Sequence, residues 1–391
     1  MDLILHIGTE KTGSTSIQRY LAKNRVRLRE AGVLFPLAPG LDNQRALTAA
    51  AEENTQDSAL QEMFDLRTPN DLQRFRQDLR GKLKKELREA GCSHVVMSNE
   101  HCSSRLRDHS QVEFLRTFLG DFFDRIRILV YIRRQDDFLV STYSTMVKTG
   151  RTNPIHVPTM KGQLRRYDHW DLLSRWAEIF GRENIICRKY DRSELVEGDI
   201  IHDFGAQAGV PTTPDYERPV MTNESLDADA LEFLRIFNSY YNRSGHRSQL
   251  VQALAAISNG PLVTVPEEEL VKFMGLFKES NEKVAAEYFG GPIEGSDNPL
   301  FPARTDSRVR AVYKPLTTER AVQIAALLWQ HDLPTVVAEG PKHEMHKRLT
   351  ELRAKRAENR ETRLEKKKAR EAKEEKAKLS GGRPDAFRQK L

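Results

Sequence analysis

The first thirty residues constrain the fold more than any other stretch of the chain. Leu3-Ile4-Leu5-His6-Ile7 is an apolar run of strand length, and Gly8 ends it. From Ser14 the spacing changes, and Ile17, Tyr20, Leu21 and Leu28 recur at helical intervals. Strand, glycine-containing loop and helix in that order predict the opening of a βαβ unit. Three more strand-length runs follow: His94-Val95-Val96-Met97-Ser98, then Ile126–Ile132, then Ile185-Ile186-Cys187. The second of these is nearly continuous apolar, as in a strand buried on both faces of a parallel sheet. A polar, helix-prone stretch runs from about Asn43 to Ala90. Strands separated by long helical patterns predict an α/β fold, a three-layer, doubly wound parallel sheet.

Such sheets bind ligands outside the carboxyl ends of their strands. Three polar clusters fall there: Thr9–Ser16, Ser98–His101 and Arg133–Ser141. The first is Gly8-Thr9-Glu10-Lys11-Thr12-Gly13-Ser14-Thr15-Ser16. Glycine permits a tight turn, and unbonded N–H groups at a helix start face an anion that the macrodipole favours. Lys11 adds a positive charge, and Ser14, Thr15 and Ser16 add hydroxyls, so the stretch has the parts of a phosphate cradle. It is not a nucleoside-triphosphate P-loop, because Ser14 stands where that motif requires lysine. In the third cluster, Arg133 leaves a buried strand and Ser141 follows two helical turns later. An arginine fork and a hydroxyl converging there would hold a second phosphate.

Taken together, the two clusters resemble the paired signatures of the sulfotransferases that use 3′-phosphoadenosine 5′-phosphosulfate (PAPS). Lys11-Thr12-Gly13-Ser14-Thr15 is similar to that family's loop for the 5′-phosphosulfate, and Arg133, Asp137 and Ser141 are similar to its element for the 3′-phosphate. Arg134 and Gln135 replace the asparagine and proline usual there. The resemblance covers roughly residues 1–210 and includes Tyr167, Trp176, Phe180-Gly181, Arg188-Lys189-Tyr190-Asp191 and Asp203-Phe204. It implies sulfuryl transfer from PAPS as co-substrate to a hydroxyl or amine, a saccharide among the candidates, without a metal. Lys11, Thr12, Gly13, Ser14, Thr15, Ser16, Arg133 and Ser141 would bind the nucleotide, with Lys11 also acting on the leaving oxygen. The transfer needs a base near the acceptor. A Ser-x-Glu element like Ser98-Asn99-Glu100 occurs in related bacterial sequences, which favours Glu100, with His101 second and Glu10 and Glu30 as further carboxylates. A sulfotransferase domain is expected over 1–340, with a nucleotide-binding core to about 210 and a mainly helical acceptor side over about 222–340.

Charge and composition weigh the alternatives. Of 391 residues, 39% are hydrophobic and 8% aromatic, which excludes whole-chain disorder. The net charge of +6 is local: residues 342–391 hold 18 Lys and Arg against 9 Asp and Glu, and the remainder carries −3. That tail, 341–391, is expected to be a solvated helix or disordered arm, with Glu344/Arg348 and Glu351/Lys355 in helix-supporting order. A nucleic-acid-binding protein acting through this tail is one rival, and a P-loop kinase or phosphotransferase is the other. Cys92, Cys102 and Cys187 lack metal-ligand spacing, and the apolar runs are too short for a signal peptide or a bilayer span, so a cytoplasmic protein is expected. His6, inside a strand, reads as a core histidine.

Overall fold

The computed structural model describes residues 1–52, 59–219, 225–241, 247–293, 298–301 and 309–330. The chain divides into two units, Met1–Ala325 and Ala326–Leu391. The charge pairs expected at 344–355 lie outside the described residues.

In chain order the elements are β1 (Asp2–Gly8), α1 (Ser14–Lys23), α2 (Arg25–Glu30), β2 (Val33–Leu34), α3 (Ala46–Ala51), α4 (Ala59–Met63), α5 (Pro69–Ala90), β3 (His94–Ser98), α6 (His101–Arg105), α7 (His109–Gly120), β4 (Arg125–Ile132), α8 (Gln135–Lys148), α9 (Lys161–Leu164), α10 (His169–Phe180), β5 (Ile185–Lys189) and α11 (Ile200–Ala208). Then come α12 (Ala228–Tyr240), α13 (Arg247–Ile257), β6 (Leu262–Thr264), α14 (Glu267–Gly275), α15 (Lys278–Tyr288), β7 (Arg310–Val312) and α16 (Thr318–Gln330).

Strands β1 to β5 form one sheet in the order β2-β3-β1-β4-β5, with every neighbouring pair parallel. Side chains alternate across a strand, so each strand feeds two cores. Leu3, Leu5 and Ile7 of β1 pack with Val95, Met97, Ile128 and Val130 beneath α3, α5, α7 and α10. Ile4, Val96, Leu129 and Tyr131 pack on the other face with Ile17, Tyr20 and Leu21 of α1 and Phe204 of α11. The result is the three-layer α/β architecture expected from the strand spacing. Local signals fix the helix ends. Thr68 and Asp71 cap α5 reciprocally ahead of Pro69, and Gly91 closes it in the left-handed region.

Three features differ from the sequence reading. The edge strand β2 has two residues, too few to show a period. The helical spacing that joined Ile17 to Leu28 is interrupted at Asn24, whose Nδ2 donates to the carbonyls of Tyr20 and Glu217 while its Oδ1 accepts from the Glu217 N–H. An asparagine that bonds backbone this way competes with helix continuation. The region expected to be mainly helical after 222 also contains a parallel pair, β6 with β7. Among the described residues no helix is long and apolar enough to cross a membrane.

Candidate functional site

The loop after β1 is shaped by close approach. Gly8 has φ +87°, and a Cβ there would lie 2.7 Å from the Glu100 Cβ and 2.8 Å from its Cα. Only glycine lets β1 run this near the turn after β3. The β1–β4 register shifts at the same place, between His6 and Gly8. Thr9 then fastens to β4, its N–H and its hydroxyl both donating to the Tyr131 carbonyl at 3.1 and 3.0 Å. Thr12 and Ser14 turn their hydroxyls inward and donate to the Thr9 carbonyl at 2.7 and 3.1 Å. Both side chains are buried, as is Ser16, whereas Thr15 is exposed.

Gly13, at φ +82°, precedes α1 without any side-chain cap. Its carbonyl accepts the N–H groups of Ser16 and Ile17 at 2.9 and 3.1 Å. The Ser14 and Thr15 N–H groups stand ahead of that first turn, where the positive end of the helix dipole lies. Lys11 itself has φ +66°, one of three positive values at non-glycine positions among the described residues.

β1 and β4 are neighbours whose onward connections leave in opposite directions, toward β2 and toward β5. Arg133, just past β4, bridges that point: its Nη1 donates to the Lys11 carbonyl at 2.8 Å, and its guanidinium stacks 5.5 Å above the Tyr190 ring. The Arg133 carbonyl in turn accepts from Nε2 of the buried His169 at 2.9 Å. Burial and the Arg133 charge push the Lys11 ammonium below its ordinary pKa, and Glu10 and Glu100 oppose them. Ser141 is half-buried in α8, one turn beyond Asp137, which pairs with Arg310 of β7 at 2.5 Å. Gln135, where the family resemblance leads one to expect proline, is fully buried and holds α8 to α15 by donating to Asn281 Oδ1 at 2.7 Å.

Beyond β3, Asn99 is fully buried and holds the turn: Nδ2 donates to the Gln44 carbonyl and the Thr48 hydroxyl, and Oδ1 accepts the His101 N–H. The Glu100 carboxylate accepts from Gln18 Nε2 on one oxygen and from Asn43 Nδ2, at 2.9 Å, on the other. The His101 Nδ1 is buried with no partner among the described residues. Burial lowers the His101 pKa, Glu100 opposes this, and Arg105 and Arg45 reinforce it. Its imidazole is therefore neutral near pH 7. Glu10 pairs with Arg166 at 2.7 Å.

The fold thus brings Lys11, Glu10, Glu100, His101 and Arg133 to the carboxyl edge of three adjacent strands. Glu30 is a correction. It ends α2 three residues before β2 begins, so it lies exposed at the amino edge of the sheet, away from this group. Sequence reasoning missed Gln18 and Asn43. A polar Gln18 among the apolar positions of α1 was a signal for the first, and nothing local marks the second.

No family profile matches the chain. An uncharacterized protein of Archaeoglobus fulgidus is 34% identical over 169 residues, 42% of this chain and 46% of that protein. The match therefore spans less than half of the relative's length. A sulfotransferase of Alicyclobacillus acidocaldarius, whose crystal structure is known, superposes with a TM-score of 0.33 and 15% identity over 65% of this chain and 95% of that one. A superposition that partial carries no argument about activity.

Proposed function

We propose that this chain is a PAPS-dependent sulfotransferase acting on a hydroxyl or amine. The observation that carries the reading is the meeting of Lys11, Arg133 and the open start of α1 at the β1/β4 junction. Two cations held close enough for Arg133 to depress the Lys11 pKa are stabilised by an anion between or beside them. The neighbouring N–H groups of Ser14 and Thr15 suit the same anion.

When bound, the nucleotide supplies an activated sulfuryl group. Within the chain, the α1 N-terminus and Lys11 hold the 5′-phosphosulfate, and Arg133 and Ser141 hold the 3′-phosphate. The Thr12 and Ser14 hydroxyls keep the loop shape by bonding to the Thr9 carbonyl. Transfer makes one S–O or S–N bond to the acceptor and breaks the S–O bond to the nucleotide, whose phosphate leaves with the electron pair. Lys11 offsets the charge that gathers on that leaving oxygen. Glu100 takes the acceptor's proton, with Gln18 and Asn43 as positioning residues that aim its carboxylate.

Calorimetric titration with PAP, the desulfated product, tests this, with ATP–Mg²⁺ alongside. The expected result is PAP binding that weakens about 10- to 100-fold in Arg133→Ala, the scale of one lost charge-assisted contact. Binding of ATP–Mg²⁺ without PAP overturns the assignment in favour of a phosphotransferase.

A further inference from the structure

A cleft opens beside the loop, reaching it at Thr9 and Glu10. Its walls carry four arginines: Arg107 after α6, Arg165 and Arg166 in the turn before α10, and Arg175 on α10. Three carboxylates share it, Glu10, Asp168 and Asp171, and each is already engaged. Glu10 pairs with Arg166. Asp171 sits between two guanidiniums, Arg165 at 3.0 Å and Arg175 at 2.6 Å. Burial would raise the Asp171 pKa, but the Arg175 and Arg165 contacts hold it below its ordinary value, so this pairing persists at neutral pH. Asp168 accepts the Asp171 N–H and the Ser280 hydroxyl at 3.0 and 2.7 Å.

Four guanidiniums against three carboxylates leave the cleft positive, and the excess is localised. Arg107 is exposed and has no carboxylate partner among the described residues; its Nε donates only to the Ser104 carbonyl at 3.1 Å. Arg175 has a side chain only 4% exposed, yet its Nε is buried with no partner among the described residues. The buried Ser104 hydroxyl lacks one as well. Ser104 and Arg175 both belong to the cleft wall, and a buried donor without a partner costs of order 1–3 kcal/mol. Phe138 closes the side, with the Arg166 guanidinium 5.5 Å above its ring.

We infer that this cleft is the acceptor subsite and that it takes an acceptor bearing an oxyanion, a sulfate, phosphate or carboxylate group, held by Arg107, Arg175 and the Ser104 hydroxyl. The word acceptor rests on the sulfotransferase reading; the oxyanion site does not. An oxyanion at Arg107 places the rest of the acceptor alongside Glu10, the neighbour of Lys11, so the cleft selects charged acceptors over neutral ones of the same shape.

The test is calorimetric titration of the full chain, saturated with PAP, with inorganic sulfate at constant ionic strength. Sulfate is expected to bind once per chain, with affinity falling about tenfold in Arg107→Ala and partly restored in Arg107→Lys. Arg107 is on the surface, so both variants fold. Phosphate and methyl glucuronide, run against methyl glucoside, distinguish a phosphorylated or sulfated acceptor from a carboxylated one. Sulfate affinity unchanged in Arg107→Ala overturns the site. So does sulfate binding that PAP abolishes, because the cleft would then belong to the nucleotide. If PAP itself does not bind, the sulfotransferase reading falls, and the difference between wild type and Arg107→Ala in sulfate affinity still decides the oxyanion site.

Discussion

The loop after β1 and the cleft beside it are both cationic, yet they are built in opposite ways. The loop makes its surface from backbone. The Thr12 and Ser14 hydroxyls turn inward, and Gly8 and Gly13 take positive φ. The cleft makes its surface from side chains of four separate segments, and three of its four arginines are set by carboxylates. On the sulfotransferase reading proposed above, the backbone-built loop suits the invariant cosubstrate and the side-chain-built cleft suits the acceptor.

That contrast can be broken most sharply at Lys11. Lys11→Gly should lower PAP release from PAPS by about 10²- to 10³-fold, the scale for a group aimed at developing charge. The same change removes a side chain from a left-handed backbone position and should stabilise the fold by up to about 1 kcal/mol. A denaturant midpoint that falls instead would show that Lys11 packs rather than acts. Next comes Gly8→Ala, where the new Cβ meets Glu100 at 2.7 Å. It should cost about 2–4 kcal/mol in urea unfolding, from conformational strain plus overpacking.

The loop and the Arg133 junction beside it each rest on one buried, neutral histidine. His6 lies under the loop, its Nδ1 at 2.8 Å from the Ser98 hydroxyl, and burial lowers its pKa to about 3. His169 supports the Arg133 carbonyl, and burial lowers its pKa to about 4 despite that bond. Both bind a proton in the unfolded chain, near pH 6.5, before they do in the folded one. Their contribution is complete above that pH and is lost as pH falls toward 4 or 3. Between pH 6.5 and 5 each should remove about 1.6 kcal/mol of stability. Unfolding at the two pH values in wild type and His6→Phe checks this, and an equally steep acid limb in the variant would contradict it. The smallest effect is expected of Arg107→Ala, which should change stability by less than about 0.5 kcal/mol while altering anion affinity.

Much of the sheet was legible because its signals are local. β1, β3, β4 and β5 each contain a short, mainly apolar run, and a βαβ order allows few arrangements. The two-residue β2 carries too little pattern to be seen, and the β6–β7 pair joins short segments almost fifty residues apart. In the candidate site, Lys11, Arg133, Glu100 and His101 were legible because each directly follows a strand, and strand ends gather at one edge. Thr12 and Ser14 were identifiable as loop residues, but the direction of their hydroxyls depends on where the Thr9 carbonyl points. Glu30 looked eligible as a carboxylate, and only the direction of β2 removed it.

The amino-acid sequence by itself determined the strand–loop–helix opening, the parallel sheet and the cations at its carboxyl edge. These follow from side-chain period and from residues adjacent in the chain. Tertiary structure alone decided that Gln18 and Asn43 grip Glu100, that Gly8 must be glycine, and that Arg107, Arg166 and Arg175 face one cleft. The reason is physical. Those contacts join segments 57 to 156 residues apart, and their meeting is fixed by the packing of helices on the sheet rather than by any neighbour in sequence.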